Sequence, residues 1–69
     1  MIMKELETVA LLKNIPEKGL FRGDVGVVVS VLSDDVLEVE FTDNTGKTRI
    51  LTPLNSEDLI RLRLESVRA

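Results

Sequence analysis

Val25-Gly26-Val27-Val28-Val29-Ser30-Val31-Leu32, followed after Ser33-Asp34-Asp35 by Val36-Leu37-Glu38-Val39-Glu40-Phe41-Thr42, is the stretch that decides the fold. β-Branched residues dominate it, and its second run alternates apolar with acidic side chains at the period of a half-buried strand. Asp43-Asn44-Thr45-Gly46 marks another turn, with Gly46 where a hairpin loop commonly needs positive φ. Pro is absent until Pro53, so the spacing predicts a three-stranded meander from Val25 to Thr52. Loop lengths then set register. If Leu32 faces Val36, Val31 faces Leu37, Val29 faces Val39 and Val27 faces Phe41. If Thr42 faces Lys47, Phe41 faces Thr48, Val39 faces Ile50 and Leu37 faces Thr52. Both registers put Val27, Val29, Val31, Leu37, Val39, Phe41 and Ile50 on one core face. Val28, Ser30, Glu38, Glu40, Lys47, Arg49 and Leu51 fall on the outer face, with Glu40 opposite Arg49. A slip of one residue would turn Glu38 and Glu40 inward, which opposes it.

Upstream, Thr8-Val9-Ala10-Leu11-Leu12-Lys13 reads as a further strand. It enters a long loop from Asn14 to Asp24 that carries Pro16, Gly19 and Gly23, and Ile15, Leu20 and Phe21 are placed to pin that loop to the barrel end. Downstream, Asn55-Ser56-Glu57-Asp58 offers one helical or 3₁₀ turn with Ser56 as a cap. Ile60, Leu62 and Leu64 then alternate with Arg61, Arg63 and Glu65 as a last half-buried strand, an amphipathic helix from Glu57 to Val67 being the alternative. These elements imply an all-β domain, a small five-stranded SH3-like partly open barrel with one short helical or 3₁₀ turn before the last strand. A single domain would occupy residues 1–69, with 1–6 as an N-terminal extension and 66–69 as a C-terminal tail.

A chain of 69 residues has room for one small core, built here from an apolar fraction of 43%. There is no His, Cys, Trp or Tyr. That removes the usual neutral-pH base, the thiol nucleophile and the soft metal ligands, so no catalytic, metal or cofactor site is expected. The lack of cysteine favours a reducing cytoplasm, and no stretch reads as a signal peptide or a membrane span. Asp34 and Asp35 are adjacent and do not converge as paired catalytic acids must, and Asp43 with Asn44 and Gly46 lacks the other oxygen ligands of a calcium loop. Both are better read as turn formers. Arg22-Gly23-Asp24 spells a cell-adhesion tripeptide, which a chain of intracellular character makes a chance word.

Leu11-Leu12-Lys13-Asn14-Ile15-Pro16-Glu17-Lys18-Gly19-Leu20, then Arg22-Gly23-Asp24-Val25-Gly26-Val27-Val28 and Glu38-Val39-Glu40-Phe41, resembles the bacterial family catalogued as domain of unknown function 4926. The resemblance implies a small SH3-like barrel of uncharacterised role, a size and type compatible with the small member of a toxin–antitoxin or immunity pair. Gly23-Asp24-Val25-Gly26-Val27-Val28 also looks like the Gly-Asp-x-Gly-x-Val entry of KOW-type ribosomal and transcription-factor barrels, an element explained by turn chemistry alone.

Lys13, Lys18 and Arg22 fall in one stretch, and Lys47 with Arg49 can extend them. Phe21, Val28 and Leu51 are apolar residues expected outside the core. These eight residues form the candidate interaction surface. The net charge of -3 disfavours indiscriminate binding to polyphosphate. With no Trp or Tyr, a polyproline groove is also excluded. The function expected is therefore a non-catalytic protein-interaction module, as a homo-oligomer or as the small partner of another bacterial protein of the immunity or antitoxin kind. The alternative is a KOW-like nucleic-acid or ribosome contact through Lys13, Lys18, Arg22, Lys47 and Arg49. Neither reading involves a membrane.

Overall fold

The computed structural model describes residues 4–43 and 45–63. Five strands, β1 (Thr8–Leu11), β2 (Val25–Val31), β3 (Val36–Thr42), β4 (Thr48–Asn55) and β5 (Leu59–Arg61), form one antiparallel sheet in the order β4-β3-β2-β1-β5. The meander β2-β3-β4 is local, whereas β1 bridges from β2 to the last strand. This is the SH3-like order of a small, partly open barrel, with β4 and β5 as the two unjoined edges. Two 3₁₀ turns, Pro16–Lys18 and Ser56–Asp58, are the only helical elements among the described residues. Strand β5 settles the alternative at 57–67 against a helix as far as residue 63. Leu64, the tail at 66–69 and residues 1–3 of the extension lie outside the described residues.

Strand β3 behaves as its alternation predicts: Leu37, Val39 and Phe41 are buried, and Glu38 and Glu40 lie on the other face. Strand β2 corrects the expectation. Val31 faces Leu37 as predicted, but a β-bulge between Val28 and Ser30 makes Val29 an extra residue, after which Val28 faces Val39, Val27 faces Glu40 and Gly26 faces Phe41. Val28 is therefore in the core at 0% exposure and not on the outer face, while Val27 and Val29 are half-buried and Val31 is exposed. The close approach of β3 supplies the reason. A Cβ at position 26 would stand 2.8 Å from the Glu40 carbonyl oxygen, 2.8 Å from Val39 Cγ1 and 3.0 Å from Phe41 Cδ1, so only glycine fits against that strand. The bulge absorbs the one-residue difference between this demand and the register of the turn.

Strand β4 pairs two residues further along than expected, with Phe41 facing Ile50, Val39 facing Thr52 and Leu37 facing Leu54. An even shift preserves the faces, so Thr52 and Leu54 are buried and Ile50 packs against the core. A second bulge, at Arg49, lies where Thr42 faces Thr48. The expected opposition of Glu40 and Arg49 is replaced by Glu40 facing Leu51, with the Thr48 hydroxyl donating to the Glu40 carboxylate. The strand also continues through Pro53 to Asn55, beyond the predicted end at Thr52. An edge strand admits proline where its missing N–H would have pointed away from the neighbouring strand.

In the β3–β4 turn, Asp43 Oδ1 accepts from Thr45 Oγ1 at 2.7 Å, Thr45 N at 2.8 Å and Lys47 N at 3.1 Å. These bonds, the Thr45 hydroxyl first, hold the Asp43 carboxyl below its ordinary pKa. Gly46 closes the turn at φ 84°.

Strand β1 ends at Leu11, short of the predicted Lys13, with Leu12 N donating one last ladder bond to Asp58 O at 2.8 Å. In the long loop Ile15 and Leu20 bridge each other and join the core, whereas Phe21 stays half exposed and pins nothing. Ser56 does not cap the second 3₁₀ turn; Asn55 precedes that turn without a side-chain cap bond, and Ser56 N donates to Asp35 O at 2.8 Å. The last strand also has the opposite phase from the one predicted. Leu59 faces Leu11 and is buried, so Ile60 and Leu62 point outward.

Candidate protein-contact surface

The paired registers build two cross-sheet rows on the outside of the barrel. Val9 and Leu11 turn inward, which leaves Thr8 and Ala10 outward on β1. One row is Ile60–Ala10–Val25, and the next is Thr8–Val27–Glu40–Leu51. Leu62 joins the second row, its N–H donating to Thr8 O at 2.8 Å. Exposure is 52% at Val25, 50% at Leu51, 45% at Ile60 and 37% at Leu62. Exposed apolar residues lying singly need no explanation, but here they adjoin across neighbouring strands with half-buried Ala10 and Val27 between them. Two ion pairs border the face, Arg61 Nε to Glu7 Oε2 at 3.3 Å and Arg49 to Asp24 Oδ2 at 3.4 Å.

The eight candidate residues do not assemble into one surface. Val28 is withdrawn into the core. Leu51 belongs to the outer rows, and Arg49 stands beside them through Asp24, whose carboxylate also accepts from Phe21 N at 2.9 Å. The exposed Phe21 and Arg22 lie in the same loop, and Arg22 N donates to Asn14 Oδ1 at 2.8 Å. Lys47 lies apart in the β3–β4 turn.

Lys13 and Lys18 meet elsewhere, on a groove of about 390 Å³ at the barrel end that Ile15, Leu54, Asn55 and Asp58 also line. Both ammonium groups are engaged, Lys13 Nζ with Asp58 Oδ2 at 3.0 Å and Lys18 Nζ with Thr52 Oγ1 at 2.6 Å. The Lys18 bond crosses from the long loop to a threonine that is only 2% exposed. Lys18→Met keeps the aliphatic stem and removes the donor, so it is expected to cost about 1–3 kcal/mol. Urea titration of both proteins measures the difference.

Sequence reasoning missed Val25, Val27, Ile60 and Leu62 as surface residues. The signal that could have found them is Gly26, since a glycine inside a valine strand marks a close approach that fixes which neighbours turn inward. Among the described residues no group of three or more carboxylates gathers as a metal site, and no helix is long and apolar enough to cross a membrane.

No curated protein and no solved structure matches the chain. A family model described as Domain of unknown function (DUF4926) matches residues 5–61, a span that takes in all five strands and both 3₁₀ turns, and the chain belongs to that family.

Proposed function

We propose that the protein is a non-catalytic interaction module that binds another protein chain through the outer face of its sheet. The observation that carries this reading is the pair of adjoining apolar rows, Ile60–Ala10–Val25 and Leu62–Thr8–Val27–Glu40–Leu51, left uncovered on a domain small enough to gain from further burial. Residue types support it too, because neither an imidazole nor a thiol is present to carry chemistry. The immunity or antitoxin role falls within the same proposal as one kind of partner. Nucleic-acid binding has weaker support: Lys13, Lys18 and Arg49 each engage a neighbouring group of this chain, and no aromatic ring accompanies the two lysines of the groove.

Site-specific photo-crosslinking in the host cell tests the proposal. A photoreactive side chain at position 25 or 60 is expected to give discrete adducts with protein, and one at position 18 none. Adducts from position 18 alone, nucleic-acid adducts, or no adducts at all would overturn it.

A further inference from the structure

We infer that the partner on one side of this surface is a second copy of the chain, joined antiparallel along the free edge of β4 about a two-fold axis at Leu51. The inference rests on the protein-contact reading above and names one occupant for it.

The backbone of β4 determines which groups are free. Asp43 N donates to Lys47 O at one end of the β3–β4 ladder, and Ser56 N donates to Asp35 O at the other. Alternating inward from either end, the pairs Val39–Thr52 and Leu37–Leu54 exchange hydrogen bonds, whereas Glu40–Leu51 and Glu38–Pro53 do not. Pro53 agrees, having no N–H to offer. The N–H and C=O of Leu51 therefore point away from β3, toward the side of β4 on which no strand pairs among the described residues.

Centring the two-fold on Leu51 lets each copy donate its Leu51 N–H to the other's Leu51 C=O, with the two exposed leucine side chains adjacent. Pro53 of one copy then stands opposite Arg49 of the other, at the bulge, where the edge is already distorted. Moving the axis to Thr52 would set Pro53 against Leu51, so that the carbonyl left without a donor would be that of Leu51 within the regular strand and not that of Arg49 at the bulge.

The charges also interleave. The row Glu38–Pro53 continues into the second copy's Arg49, two strand spacings or about 10 Å from Glu38 between backbones, so that Arg49, paired with Asp24 at 3.4 Å within its own chain, gains a second carboxylate within reach of two long side chains. The two Glu40 residues are three spacings apart, about 14 Å, beyond the Debye length at physiological salt. The two-fold contact uses the β4 edge of both copies, so the assembly closes as a dimer and leaves no β4 edge along which to propagate.

Light scattering of the full chain up to about 1 mM, with amide exchange of Leu51 followed by NMR, tests this. The expected result is a mass that rises with concentration to twice 7.7 kDa, together with slowing of Leu51 exchange over the same range. Leu51→Pro removes only the outward N–H, as Pro53 already does two residues on, and should hold the mass at 7.7 kDa with the monomer's circular dichroism retained. Leu51→Lys, which keeps the N–H and sets two cations on the axis, covers the case in which the proline variant does not fold, and should also be monomeric. A wild-type chain that stays at 7.7 kDa with fast Leu51 exchange throughout, or a folded variant that still dimerises, would overturn the inference. Adducts at positions 25 and 60 with other proteins would leave the contact reading standing even then, so the failure of this inference is told apart from the failure of that reading.

Discussion

Phe41→Ala is expected to lower the free energy of unfolding by about 3–5 kcal/mol, the range for truncating a fully buried aromatic side chain. Phe41 is 1% exposed and has the largest side chain of the fully buried set. A domain of this length has a total stability of roughly 3–10 kcal/mol, so the variant should be close to half unfolded or worse in water. Thermal and urea melts read this directly. Phe21→Ala, at a half-exposed position in the loop, is the control and should stay within about 0.5 kcal/mol of the parent. Gly26 extends the argument, since a methyl group there meets the Glu40 carbonyl and Val39 as well as the ring. Gly26→Ala should cost about 1–3 kcal/mol, and most of that cost should persist in a Phe41→Leu background, because the backbone oxygen remains. Full relief by Phe41→Leu would show that the ring alone, and not the close approach of β3, requires the glycine.

The second large effect separates the observed phase of β2 from the phase its sequence suggests. Val28→Asp puts a carboxylate at a position with no exposure, where no cation faces it from the paired Val39. Burying an unpaired charge costs several kcal/mol even after the group is driven to its protonated form, so this chain should be unfolded near neutral pH. Val31→Asp, at a residue 46% exposed, should cost less than about 1 kcal/mol. Circular dichroism of the two variants side by side decides the matter. A folded Val28→Asp with an unfolded Val31→Asp would restore the predicted core face and remove the bulge.

Strand β3 was legible because charge and apolarity alternate in it without a break, so one reading of the face is possible. Strand β2 was not, since valines occupy both parities and the alternation carries no information there. The decision passes to tertiary packing, in which the close approach of β3 from Val39 to Phe41 selects Gly26. The same holds for β4: Ile50, Thr52 and Leu54 keep the face expected for residues of their parity, but the two-residue shift in register depends on a bulge at Arg49 that no composition announces. In β5 the phase depends on how three residues of 3₁₀ turn deliver Leu59 against Leu11, a geometric quantity that periodicity over 60–64 does not contain. For the surface, the separation of Lys13 and Lys18 from Arg49 was equally hidden. Nearness in sequence placed these cations together, whereas the long loop carries the two lysines to the end of the barrel.

The antiparallel pairing of β1 with β5 has a consequence for biosynthesis. Residues 25–55 contain every strand of the β2-β3-β4 hairpins and can collapse as soon as they leave the ribosome, since each pairing spans a short loop. Val9, Leu11 and Leu59 complete one hydrophobic core, yet Leu59 is translated some fifty residues after the others. The first strand therefore waits for its outer neighbour until the last is made, and the closing of β1 against β5 is the pairing of largest sequence separation and the latest to form.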